Sequence, residues 1–191
     1  MTAELRRKLK LKRLQNGMFI PTEEMIIETH KMIIEYRNEN FGKTDRPAIR
    51  DRGILTHLCD SLSDRMHKYK STIVEDSLYV ASEAFFYIAC QHPFHDGNKS
   101  TAYIMALSLY YSNIILNTGI RNPEEKMLLE ITKHVLSAPD EAKEITKLAE
   151  GGGKSDVEIK RLIKRFLSKQ LLAENVMVGD DKWIGEQKKA P

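Results

Sequence analysis

The sequence predicts an all-α protein, a helical bundle carrying one small β-hairpin flap. Three observations lead there. Nearly every segment has helical period and several open on a clear start signal. Two long stretches in the middle are almost free of charge, as helices at the centre of a bundle are. "STIV" at 71–74 is the only short β-like run.

Taken in order, Pro21-Thr22-Glu23-Glu24 places a cap and two acids ahead of Ile26, Ile27, Ile33 and Ile34, and predicts a helix over about 22–39. Gly42, Pro47 and Gly53 interrupt the pattern, and a helix near 53–62 follows, leading into a loop or small hairpin. The centre is two helices, about 77–91 and 98–116. The first carries one charge, Glu83, and the second only Lys99, at its opening. Asn122-Pro123-Glu124-Glu125 is a compact helix start, with proline at the first helical position and acids against the dipole. Pro139-Asp140-Glu141 opens a further helix that Gly151-Gly152-Gly153 ends. Ser155 and Glu158 have capping-box spacing ahead of an apolar stripe of Ile159, Leu162, Ile163, Phe166 and Leu167, with Lys160, Arg161, Lys164 and Arg165 alongside. That helix suits docking on its own domain.

The predicted organisation is a basic N-terminal extension over 1–18, a helical domain over 19–153, a basic amphipathic helix over 154–178 and a disordered tail over 179–191. With 41% hydrophobic and 30% charged residues the chain reads as soluble and globular. A net charge of +3 argues against a whole-chain nucleic-acid binder. Cys59 and Cys90 lie far apart, which fits a reducing cytoplasm better than a disulfide framework, and Cys90 reads as a small core residue. The uncharged run from Thr101 to Ile120 reads as a buried helix and a turn, because Asn113, Asn117 and Gly119 interrupt it.

"QHPFHDGNKSTAY", residues 91–103, concentrates polar groups between the two apolar helices. Groups so placed are costly unless satisfied or used. Pro93 cannot continue the first helix and Gly97 permits a turn that other residues resist. The next helix then starts near Asn98 with its free N–H groups toward the loop, a ready anion site to which Lys99 adds charge. Asp96 beside phosphates suits Mg²⁺, and His92 suits a general base acting on a hydroxyl. Phe94 pins the loop into the core. Read differently, His92, His95 and Asp96 are metal ligands of an HD-type phosphohydrolase, which needs further ligands on neighbouring helices.

"HPFHDGNKS" resembles the Fic/Doc family motif, His-x-Phe-x-Asp/Glu-Gly-Asn-Gly-Arg, and Lys99 is similar to the death-on-curing (Doc) branch, in which lysine replaces the second glycine. "FIPTEEMIIETH" and "IRDRGIL" match the order of segments in that branch, so the likeness spans about 19–151. The resemblance implies a Fic fold, His92 as catalytic base, Asp96 on Mg²⁺, and Gly97, Asn98, Lys99 and Ser100 against the phosphates of ATP or another nucleoside triphosphate. It implies phosphoryl transfer to a hydroxyl of a protein, in that branch a translation elongation factor, with transfer of AMP as the alternative. A catalytically impaired binding module is the third reading. The flap would fall at about 60–75, and an antitoxin-type protein is an expected partner.

Two positions depart from the pattern. The motif arginine is Ser100, and the second arginine of AMP-transferring members is Tyr103. Arg50 and Arg52 are candidates to compensate. "TKLAEG", 146–151, fits the Thr-x-x-x-Glu-Gly pattern of the family's inhibitory helix, but reads better as a helix stopped by glycine, and Tyr103 removes the glutamate's usual partner.

Overall fold

A computed structural model describes residues 11–66, 72–118, 138–172, 177–178 and 182–183. These hold six helices: α1 Glu23–Phe41, α2 Arg52–Met66, α3 Ile73–Ala89, α4 Asn98–Thr118, α5 Asp140–Glu150 and α6 Asp156–Leu172. Two short antiparallel pairs accompany them, β1 Lys12–Arg13 with β2 Phe19–Ile20, and β3 Met177–Val178 with β4 Lys182–Trp183. The expected all-α helical domain is what the chain forms. The helix expected after Asn122 falls outside the described residues.

Helices α3 and α4 are the central pair. Val80, Ala81, Ala84, Phe85, Ile88, Met105, Ala106 and Leu109 are fully buried along them, which is why both sequences lack charge. Glu83, the acid in the middle of α3, lies in the core and is met by Lys160 of α6 at 2.8 Å. The Lys160 ammonium also stands 4.6 Å above the Phe86 ring. Around that pair Ile159, Ile163, Phe166, Leu167 and Leu171 bury the apolar stripe of α6, with Phe166 against Phe85 and Tyr103. The basic amphipathic helix therefore closes its own domain's core. Each such large side chain contributes about 1.5–3 kcal/mol on burial.

Asn113, in the apolar body of α4, donates to the Phe19 carbonyl and accepts from the Phe19 N–H, both at 2.8 Å. The asparagine thus fastens the N-terminal hairpin to the core. Leu14 and Met18 are buried beside it, so the core reaches N-terminal of residue 19. No helix among the described residues is long and apolar enough to cross a membrane.

Two expectations need correction. The flap at about 60–75 is not a hairpin in its described part: residues 60–66 belong to α2 and 73–75 to α3, and 67–71 lie outside the described residues. "STIV" is instead a helix start. Thr72 accepts from the Glu75 N–H while the Glu75 carboxylate accepts from the Thr72 N–H, and this capping box outweighs the β-preference of Ile73 and Val74. Nor is the whole of 179–191 a disordered tail, because Lys182–Trp183 pairs with Met177–Val178.

Candidate active site

Between α3 and α4 the chain reverses over residues 90–97. Two left-handed residues make the reversal, Gly97 at φ 71° and His92 at φ 53°. A Cβ on Gly97 would stand 3.0 Å from Ile34 Cδ1 and 3.3 Å from His30 Cε1, so a side chain there would crowd both as well as strain the backbone. The same conformation in a histidine is uncommon and strained.

The loop is held from three sides. Asn98 accepts from the Phe94 N–H at 3.0 Å and donates to the Phe94 carbonyl at 2.8 Å. Residues 48–51 pair with the loop: Arg50 N–H donates to the Pro93 carbonyl at 2.7 Å and His95 N–H to the Ala48 carbonyl at 3.1 Å. Below, the Phe94 ring stacks on His30 of α1, centroids 3.8 Å apart. Burial drives the His30 pKa down to about 4, so the stacked imidazole is neutral. Its Nδ1 meets the Thr101 hydroxyl at 3.1 Å.

So supported, the loop lines a cavity of about 400 Å³ with His92, His95, Asp96, Gly97, Asn98, Lys99 and Ser100. All the motif residues predicted from sequence, except the deeply packed Phe94, meet there. Asn98 meets it differently than expected. Its side chain is committed to Phe94, and what remains for a phosphate is the first turn of α4, whose N–H groups lack intrahelical partners.

Asp96 is half exposed and its Oδ1 accepts from the Gly97 N–H at 2.6 Å. Burial works to raise its pKa, but the Gly97 N–H and the Arg37 guanidinium outweigh that and hold it low. A single ionised carboxylate facing an anion site fits Mg²⁺, which takes one or two carboxylates and fills its sphere with water and phosphate oxygens. Among the described residues no three His, Cys, Asp or Glu side chains gather as metal ligands, so the HD-type reading lacks the set it needs.

Neither Arg50 nor Arg52 lines this cavity. Arg50 serves the loop through its backbone, and Arg52 donates from Nε to Glu23 Oε2 at 2.8 Å. Tyr103 is buried against Phe166, and its ring is core. Both thiols are pushed up to about 12 by burial, which leaves Cys59 and Cys90 inert as nucleophiles.

Residues from outside the motif complete the site. Arg37 of α1 and Lys143 and Lys147 of α5 line the cavity. Glu150, the last residue of α5, accepts from His92 Nε2 at 3.1 Å and lies 3.8 Å from Lys99 Nζ. "TKLAEG" thus ends a helix at Gly151 and also brings a carboxylate onto His92. Spacing offered a signal for this, since Lys143, Lys147 and Glu150 recur at four and three residues on one helical face.

Residues 20–110 match the model of the Fic/DOC family. The matched segment runs from the end of β2 to the middle of α4 and contains all of α3, the loop over 90–97 and the first half of α4. Helices α5 and α6 lie beyond it. No curated protein and no solved structure matches the chain.

Proposed function

We propose that the protein transfers the γ-phosphoryl group of a nucleoside triphosphate to the hydroxyl of a protein, in the manner of the Doc branch. One observation carries the reading: His92, Asp96 and the N-terminal turn of α4 with Lys99 open onto one cavity of about 400 Å³. That arrangement supports reading His92 as a base, Asp96 as a cation-binding carboxylate and the helix turn as an anion cradle for a single phosphate chain.

In the proposed reaction the phosphates lie on the first-turn N–H groups of α4, with Lys99 beside them. His92 takes the proton of the incoming hydroxyl, whose oxygen forms the new bond to the γ-phosphorus. The bond from that phosphorus to the β–γ bridging oxygen breaks, and the nucleoside diphosphate leaves with its electron pair. Mg²⁺ on Asp96 would supply charge neutralisation for the phosphates. The left-handed backbone at His92 aims the ring into the cavity and is the conformational cost of that placement.

Incubation with a target-containing lysate and ATP labelled separately at the γ- or α-phosphate tests the reading. γ-Label on protein supports phosphoryl transfer, whereas α-label would replace it with AMP transfer. A translation elongation factor is the first target to try, an antitoxin-type chain the first partner, and the cytoplasm the expected compartment.

A further inference from the structure

The Fic-type motif lacks its arginine, and the cavity shows what stands in that place. Ser100 lines it, with neither the charge nor the fork of donors of an arginine. Four cations nonetheless surround it, Lys99, Arg37, Lys143 and Lys147, against one lining carboxylate, Asp96. This local excess of positive charge suits a ligand with several negative charges.

Arg37 is under-used where it sits. Its side chain is mostly buried and has two acids near it, Asp45 at 3.4 Å and Asp96 at 3.8 Å. The Asp96 contact is beyond hydrogen-bond reach, and the buried Asp45 Oδ2 has no hydrogen-bond partner. A guanidinium with a planar fork of donors is therefore held by charge alone at the mouth of the anion site. Across the cavity, Lys143 and Lys147 stand one turn apart on α5. The Lys143 ammonium also meets Asp140 at 2.8 Å, but Asp140 is almost fully exposed and that pair holds it weakly.

We propose that Arg37 and the Lys143–Lys147 pair form a two-sided polyphosphate clamp that does the work of the missing motif arginine, reading the β- and γ-phosphates of the donor nucleotide. The proposal rests on the nucleotide-transfer reading and names the residues that select a triphosphate. Arg37 takes the outer phosphate oxygens in a bidentate contact, and the lysines neutralise the opposite side.

The test measures binding of ATP, AMP and inorganic tripolyphosphate, each with Mg²⁺, to the full chain. The variants are Arg37→Gln, Lys143→Gln/Lys147→Gln, and Arg37→Gln with Ser100→Arg, with thermal unfolding followed for each. The lysine pair lies on an exposed helix face, so the proposal stays testable if Arg37→Gln is unstable. The expected result is that Arg37→Gln and the lysine variant each weaken ATP and tripolyphosphate about ten-fold. AMP should change by less than about two-fold, because it lacks the phosphates being read. Ser100→Arg should restore ATP binding in the Arg37→Gln background, which a purely structural role of Arg37 would not allow. Wild-type affinity for ATP in both single-side variants would overturn the clamp. Wild-type binding of tripolyphosphate but of no nucleotide would uphold the clamp and sink the transfer reading. Binding of neither would sink both.

Discussion

Glu150 Oε1 lies 3.1 Å from His92 Nε2, so the proposed base is engaged by a carboxylate from a helix outside the family-matched segment. The same oxygen is 3.8 Å from Lys99 Nζ, which puts a negative group where a phosphate would meet both. Glu150 and the donor nucleotide therefore compete for one place. Glu150 is nearly half exposed, and pairs of that kind are worth about 0.2–1 kcal/mol. Glu150→Ala should accordingly raise transfer by about two- to five-fold at limiting ATP, measured as initial labelling rate. A fall instead would mean that the glutamate orients the imidazole.

His92 occupies left-handed backbone that glycine adopts freely and asparagine tolerates. His92→Gly should be as stable as the wild type or up to about 1 kcal/mol more stable, while transfer is lost. Chemical denaturation beside the labelling assay checks this. A clear loss of stability would make His92 a structural residue.

Gly97→Ala should fail in the opposite sense. The methyl group would meet Ile34 and His30, and the φ of 71° disfavours it as well. We expect a loss of about 2 kcal/mol or more, with nucleotide binding lost along with it.

Acid should weaken the fold through His30. Its pKa in the fold is about 4, below the ordinary value of 6.5, so on acidification the unfolded chain takes up this proton first. Stability from this source is complete above about pH 7 and falls as the pH drops toward 4, by about 3 kcal/mol. His30→Phe keeps a ring on Phe94, and its unfolding free energy should show a flatter slope between pH 6.5 and 4. An unchanged slope would remove His30 as the titrating group.

The sequence showed the helices and the motif because their signals are local. Pro93 and Gly97 mark the reversal, the charge-free runs mark the centre, and Thr22 and Ser155 cap helices where the spacing predicts. The flap was misread because "STIV" carries β-branched residues whose preference Thr72 and Glu75 override by capping. Arg37 was not legible as a site residue, since it lies more than fifty residues from the loop and reaches it only through packing of α1; Glu150 stood out as the glutamate of "TKLAEG", but its contact with His92 depends on the packing of α5. Asn98 shows a subtler gap: its motif position points to phosphate, while its side-chain atoms hold Phe94 in place.

The central claim is that His92 drives transfer of a γ-phosphoryl group, and labelling with γ- and α-labelled ATP beside His92→Ala and His92→Asn tests it most directly. Asparagine accepts the left-handed backbone, so loss of activity there cannot be assigned to a distorted loop. The account predicts γ-label on a protein target with the wild type and none with either variant. Labelling that persists in both variants would contradict it.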